Sequence, residues 1–181
     1  MVNEALIIEQ TEKWIRSVVI GCNFCPFAAR ALQLQGIRYK VVPDTTLLKS
    51  KDLVLQEAAW LDQHPETETT LIIFPGQFQN FSNYLQLVRQ SEQVLSRKHY
   101  DGIYQLASFH PDYTFAGAPD DDPANYTNRS VYPMLHLLRE ASISKVLKHF
   151  PEPERIPERN MAFSREKGLA HMQLLLATCM A

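Results

Sequence analysis

Three stretches with strand character alternate with two amphipathic helical stretches, and this alternation constrains the fold more than any other feature of the sequence. The strand-like stretches are Ile37–Val41, where apolar and basic residues alternate, Thr69–Phe74, which ends in a continuous apolar run, and Gly102–Ser108. The helical stretches between them are Ser50–Leu61 and Asn80–Lys98. Helical crossovers of a dozen or more residues join parallel strands. The sequence therefore predicts an α/β fold with a two-layer or three-layer βαβαβ core and a parallel or mixed sheet.

Further helices are expected on either side of this core. Glu4–Ile20 has helical spacing, although the β-branched residues of Ile15–Ile20 also allow a strand. A second helix is expected from Pro26 to Gly36. After the third strand we expect helices over Pro133–Ala141 and Ser142–His149, followed by a C-terminal pair of helices. A chain of 181 residues with 45% hydrophobic residues is long enough for one core, so a single domain over residues 1–181 is predicted.

Composition excludes several common functional classes. Lys and Arg total 18 against 20 for Asp and Glu, so no positive surplus is available for nucleic acid. The closest glycines, Gly21 with Gly36 and Gly102 with Gly117, are 15 positions apart, which excludes the glycine-rich loops of dinucleotide and nucleotide sites. The sequence specifies no cofactor. Apolar runs are too short for a secretory signal or a membrane span, and a cytoplasmic protein without membrane contacts is expected.

Cys25 is the first candidate catalytic residue. It directly precedes Pro26 at a predicted helix start, where unpaired N–H groups and the helix dipole favour a thiolate. The alternative is a buried, inert cysteine. Cys22 and Cys25 could also provide two ligands of a zinc site completed by His110 or His136. The pattern therefore indicates a nucleophile or redox thiol, with a mixed Cys/His metal site left open.

The stretch from Phe109 to Tyr132 is too long for an ordinary connection and too aromatic for a disordered linker. We expect an ordered loop over the carboxyl end of the sheet, where open α/β folds bind ligands. His110 leaves the third strand there and is a candidate acid or base, and Asp112 and Tyr113 beside it are substrate-binding candidates. A loop histidine that only bonds the backbone is the alternative.

The polar end of the same loop surrounds one arginine. Arg129, with Asn125 and Asn128, could hold a carboxylate or phosphate, which predicts a small anionic substrate. These side chains could instead satisfy the backbone of the loop. The run Asp120–Asp122 could bind a hard cation, although such a run is more often a solvated turn.

The predicted helix from Pro133 places His136, Arg139 and Glu140 on one arc. This polar arc could face solvent or close the site beneath the loop. We include His136 as a substrate-binding candidate and Glu140 as a catalytic candidate that orients a histidine.

Three segments together carry a resemblance to a known family. They are Val18–Gly21 running into Asn23–Ala28, with Asn-Phe-Cys-Pro-Phe-Ala; Leu106–Tyr113 with Phe115–Gly117, with Ser-Phe-His-Pro-Asp-Tyr; and Asn125–Ser130, with Asn-Tyr-Thr-Asn-Arg-Ser, running into Leu135–Ser142. In these segments the chain resembles the bacterial family catalogued as domain of unknown function 1415. Cys22 and Val131 depart from the pattern of that family. The resemblance spans nearly the whole chain and implies a cytoplasmic bacterial protein, but it implies no activity.

A weaker likeness covers Phe24 to Val42 only. Cys-Pro-Phe-Ala followed by a helix, Gly-Ile-Arg and a strand is similar to the active-site region of omega-class glutathione transferases and glutaredoxins. That likeness implies a thioredoxin-like fold with a strand just before the cysteine.

Two functions of different classes follow from these candidates. The first is a small-molecule enzyme in which Cys25 is the nucleophile, His110 the acid or base, and Arg129 the group that holds an anionic substrate. The second is a non-catalytic module that uses the loop 109–132 to bind a metabolite or a partner. The enzyme requires Cys25, His110 and Arg129 to converge on one cleft.

Overall fold

A four-stranded mixed sheet forms the centre of the computed structural model, which describes residues 3–148 and 150–181. The strands are β1 (Ile37–Val41), β2 (Thr69–Ile73), β3 (Tyr104–Phe109) and β4 (Met134–Arg139). Their order is β1-β2-β4-β3. β1 and β2 are parallel, whereas β4 lies between β2 and β3 and is antiparallel to both. The predicted α/β class with a mixed sheet is confirmed.

Seven α-helices surround the sheet within the described residues. They are α1 (Glu4–Trp14), α2 (Ala28–Gln33), α3 (Leu47–Gln63), α4 (Phe81–Arg97), α5 (Glu140–Leu147), α6 (Ile156–Lys167) and α7 (Leu169–Ala177). The side chains of Asn3, Thr46 and Asn80 accept hydrogen bonds from the first turns of α1, α3 and α4, which satisfies N–H groups that a helix start leaves free. In the described part of the chain, the helices are all too short or too polar to cross a bilayer.

The helices form a layer on each face of the sheet. The apolar sides of α3 and α4 pack on Ile72, Leu135 and Leu137. On the opposite face, α1 and α7 pack on Leu71, Ile73 and Met134, which alternate with the first set along the strands. The core is therefore split in two by the sheet, and a residue's position on its strand decides which half it faces.

The segment Ile15–Ile20 is a π-helix that continues α1. The helical prediction for this segment is correct and its strand alternative is wrong. The chain ends the π-helix at Gly21, where a Cβ atom would overlap the carbonyl oxygen of Ser17. Because a helix rather than a strand precedes Cys25, the thioredoxin-like arrangement implied by the local likeness is also wrong.

The prediction of a helix over Pro133–Ala141 is the main error in the fold. Met134–Arg139 is the central strand β4, and α5 begins only at Glu140. Met, Leu and Arg favour helices, but hydrogen bonding to β2 on one side and β3 on the other overrides that preference. The predicted helix Ser142–His149 corresponds to α5, and its last residue lies outside the described residues.

Candidate functional site

A cavity of 390 Å³ lies between the sheet and the helices of the α1 face. All four strands contribute to its floor, each through residues of the same face. Its walls come from the end of α1, the π-helix, the loop into α2, α5 and the start of α6. The lining residues are Trp14, Ile15, Val19, Cys25, Pro26, Phe27, Ala28, Ala31, Ile37, Thr69, Leu71, Gln105, Ala107, Phe109, His136, Leu138, Ile143, Val146, Leu147, Pro153, Ile156 and Pro157.

This lining is apolar apart from a few groups. Gln105 is solvent-exposed, whereas Cys25, Thr69 and His136 are covered to a greater extent. None of the described lining residues is Lys, Arg, Asp or Glu. A mostly apolar wall with a small number of polar groups is the usual composition of a small-molecule site.

The helix α5 has an unusual role in this wall. Ile143, Val146 and Leu147 form its apolar side, yet none of its residues is fully buried. An amphipathic helix normally buries that side in a packed core. Here the apolar side of α5 faces the cavity, which leaves it available for contact with a bound molecule.

His136 and Thr69 form the polar pair on the cavity floor. Their side chains are 2.6 Å apart, from Nε2 of His136 to Oγ1 of Thr69. The Thr69 hydroxyl also donates to the carbonyl oxygen of Leu137. Burial lowers the pKa of His136 from 6.5 to about 3, so this imidazole is neutral at physiological pH.

Cys25 lies in the loop before α2, at the edge of the same cavity. Burial raises the pKa of its thiol, and the N–H groups of Phe27 and Ala28 oppose that rise only in part. The expectation that a helix start lowers the pKa of Cys25 is therefore wrong, because desolvation outweighs the local N–H groups. Cys22 packs separately, in the core of the α1 face, so the two cysteines have different surroundings.

His110 lies on the opposite side of the sheet from Cys25. Phe109 lines the cavity, so the next residue turns toward α4, where the His110 ring contacts Phe81 and Tyr84. Its Nε2 donates to the carbonyl oxygen of Phe78 at 2.9 Å, and Nδ1 accepts from the N–H of Asp112 at 2.9 Å. Both ring nitrogens are thus occupied, and the side chain is fully buried.

The polar loop residues bond to the loop itself. The guanidinium of Arg129 donates to the carbonyl oxygens of Tyr113 and Asp120 and lies over the ring of Tyr126. The Asn125 side chain accepts from the N–H of Phe115 and donates to the carbonyl oxygen of Pro119. These contacts give the loop an internal scaffold, and the expected convergence of Arg129 with Cys25 and His110 is wrong.

The remaining loop candidates also hold the chain together. Asn128 donates to the carbonyl oxygen of Ser108 at 3.1 Å, which ties the loop to β3. Tyr113 packs its ring against Phe81 and Phe115. Asp112 is exposed, and its N–H bonds His110. These residues therefore lie around His110 rather than around the cavity.

Among the described residues, neither the Cys/His zinc site nor the cation site at Asp120–Asp122 has its ligands grouped in space. Asp122 forms a bidentate ion pair with Arg165, at 3.0 and 2.7 Å. Zinc and hard-cation sites in proteins are built from several protein ligands. Throughout residues 3–148 and 150–181, no three His, Cys, Asp or Glu side chains are grouped as such a site requires.

Glu140 does not orient His136. On the predicted helix the two residues were neighbours, but on a strand four positions span roughly 13 Å. Glu140 starts α5, and its N–H donates to the carbonyl oxygen of Ile103. Arg139 faces the other half of the core, where it bonds carbonyl oxygens at the end of α3. The helical arc of His136, Arg139 and Glu140 is therefore wrong.

The structure adds cavity residues that sequence reasoning missed. Thr69, Gln105 and Ala107 belong to predicted strands, but none of them was a candidate site residue. One signal was present for β4: only six residues separate Pro133 from Glu140, which is strand length rather than helix length. Period-two alternation then places His136 on the same face as Met134 and Leu138.

Comparison with known proteins identifies the family of this chain. A family model described as "Protein of unknown function (DUF1415)" matches residues 6–174. No curated protein and no solved structure matches the chain. The matched segment contains every strand of the sheet and every described residue of the cavity wall.

Proposed function

We propose that this chain, which belongs to the DUF1415 family of proteins of unknown function, binds a small, uncharged and mostly apolar molecule in the cavity over its sheet. The cavity itself carries this proposal. Its volume of 390 Å³ lies within the range of about 300–1,000 Å³ that is usual for small-molecule sites. Its apolar walls and its few polar groups suit a ligand that buries hydrophobic surface.

The apolar wall supplies the driving force for binding. A ligand that buries about 200 Å² of apolar surface gains about 5 kcal/mol from the hydrophobic effect. Association and ordering offset part of this gain. Polar groups on the floor then fix the orientation of the ligand rather than supply most of its affinity.

Charge argues for a neutral ligand over the anionic substrate expected from the sequence. The guanidinium of Arg129 is engaged by the carbonyl oxygens of Tyr113 and Asp120 outside the cavity, and the described cavity wall holds no Lys or Arg side chain. The low pKa of His136 keeps its imidazole uncharged. An anion moved from water into such a wall would lose its hydration without gaining a partner.

A cysteine enzyme is the second candidate, because Cys25 and His136 line one cavity. Burial raises the pKa of Cys25 and lowers that of His136, so both groups are neutral near pH 7. A thiolate–imidazolium pair requires the opposite shifts. The electrostatics therefore favour binding over nucleophilic catalysis.

Trp14 provides a direct test of cavity binding. It is one of two tryptophans and lines the cavity, whereas Trp60 stacks on His64 elsewhere. Trp60→Phe leaves Trp14 as the only tryptophan reporter. Iodobenzene, a neutral heavy-atom quencher, is expected to quench this fluorescence in a saturable way, and 4-iodobenzoate is expected not to.

Two further substitutions in the Trp60→Phe background locate the binding. Ala107→Phe places a ring in the cavity and should abolish saturable quenching. Ala170→Phe, at an exposed position of α7, should leave it unchanged. Absence of saturable quenching before the cavity is filled, or its survival in Ala107→Phe, would overturn the proposal.

A further inference from the structure

One nitrogen on the cavity floor has no protein partner. Nε2 of His136 is paired with Thr69, but Nδ1 bonds to nothing among the residues that the structure describes. Buried imidazoles usually engage both nitrogens, as His110 does with Phe78 and Asp112. The unpaired nitrogen of His136 therefore requires an explanation.

The hydrogen bonds of Thr69 assign the proton on His136. A threonine hydroxyl has one hydrogen, and Thr69 donates it to the carbonyl oxygen of Leu137. Oγ1 of Thr69 must then accept from His136, so the proton of the neutral ring is on Nε2. Nδ1 is left with a free lone pair and acts only as an acceptor.

This acceptor is open to the cavity. The wholly buried side-chain polar atoms without partners, among the described residues, are Tyr39 Oη, Thr70 Oγ1 and Ser91 Oγ. Nδ1 of His136 is not one of them, and His136 lines the cavity. We infer, resting on the proposed binding function, that Nδ1 of His136 accepts a hydrogen bond from a hydroxyl or N–H group of the bound molecule.

The inference specifies the ligand class as an apolar molecule with one donor group, such as an alcohol, a phenol or an amide. An ether of the same shape fills the cavity but leaves Nδ1 unpaired. A carboxylate presents negative charge to the lone pair of a neutral ring and is disfavoured. One net hydrogen bond corresponds to a preference of about threefold to tenfold for the donor over the ether.

Three naphthalene derivatives of similar size test this selectivity in the unmodified protein. Isothermal titration calorimetry compares 1-naphthol, 1-methoxynaphthalene and 1-naphthoate. We expect 1-naphthol to bind about threefold to tenfold more tightly than 1-methoxynaphthalene, and 1-naphthoate to bind most weakly. Equal binding of the first two overturns the inference while the proposed function stands, whereas tightest binding of 1-naphthoate overturns both. Absence of binding by all three overturns both.

His136→Phe provides the matched variant. It keeps a ring but removes the acceptor, so the preference for 1-naphthol over 1-methoxynaphthalene should vanish, whatever the affinity of the variant for either. A persistent preference in this variant contradicts the role of Nδ1. If this variant does not fold, NMR of the unmodified protein still tests the assignment of the proton on His136. The ¹⁵N chemical shifts of His136 should show a protonated Nε2 and a bare Nδ1, and 1-naphthol should shift the Nδ1 signal.

Discussion

Thr69 and Thr70 are adjacent on β2, yet only the hydroxyl group of Thr69 is hydrogen-bonded within the described residues. The Thr69 hydroxyl donates to Leu137 and accepts from His136 on the cavity side of the sheet. The Thr70 hydroxyl is buried on the other side and has no partner among the described residues. Because successive residues of a strand face opposite sides, two identical side chains lie in different chemical surroundings.

This contrast predicts opposite effects of the same substitution. Thr69→Val leaves the N–H of His136 without an acceptor and should lower the free energy of unfolding by about 1–3 kcal/mol. Thr70→Val removes a hydroxyl that already lacks a partner and should be neutral or stabilising. Urea denaturation at pH 7 measures both, each variant being the control for the other. Equal destabilisation would contradict the assigned hydrogen bonds.

The parts of the fold predicted correctly are those whose local pattern and tertiary role agree. β2 is buried on both faces, and its sequence is a continuous apolar run. α4 packs against the core on one side only, and its sequence has a single apolar stripe at helical spacing. β4 lacked such agreement, since its composition favours a helix and its strand conformation depends on pairing with β2 and β3. Strand pairing with segments distant in sequence leaves no pattern in the residues of β4 themselves.

The candidate site was predicted only in part, because the sequence does not show which polar side chains are already bonded within the fold. Cys25 and His136 line the cavity, whereas His110 and Arg129 are occupied by nearby backbone groups. A sequence shows which side chains can donate or accept, but not whether the fold already uses them. In the loop 109–132 the interpretation that polar side chains satisfy the backbone describes the contacts of Asn125, Asn128 and Arg129.

The structural role of Arg129 gives a second prediction. Arg129→Ala removes the donors to the carbonyl oxygens of Tyr113 and Asp120, so the loop should open more often. Limited proteolysis should then cut faster within residues 112–128. Arg155→Ala is the control, because its ion pairs with Glu152 and Glu158 are exposed and contribute little. Cleavage of Arg129→Ala no faster than that of the unmodified protein would contradict the structural role of this arginine.

Cys25 is predicted to react slowly at neutral pH. Burial raises the pKa of its thiol, so the thiolate is scarce near pH 7. Site-resolved alkylation with iodoacetamide should remain slower than alkylation of free cysteine at pH 7 and accelerate above pH 9. An occupant of the cavity should slow it further, because Cys25 forms part of the wall. Reaction at pH 7 faster than that of free cysteine would favour the enzyme over the binding protein.

The buried imidazole of His136 predicts a specific loss of stability in acid. Its pKa is about 3 in the folded protein and has the ordinary value of 6.5 once unfolded, so the unfolded chain binds the additional proton. The free energy of unfolding therefore decreases as the pH falls below 6.5 toward 3. Between pH 7 and pH 5 this histidine should account for a loss of roughly 2 kcal/mol, since one proton is taken up over about 1.5 pH units.

His136→Phe should remove that component of the pH dependence. Urea denaturation of the variant at pH 7 and pH 5 should show a smaller decrease than the unmodified protein, whatever the absolute stability of the variant. Burial also lowers the pKa of His110, but this residue is present in both proteins and cancels in the difference. His171→Phe, at an exposed position of α7, should follow the unmodified protein. Parallel pH profiles for His136→Phe and the unmodified chain would contradict the lowered pKa of His136.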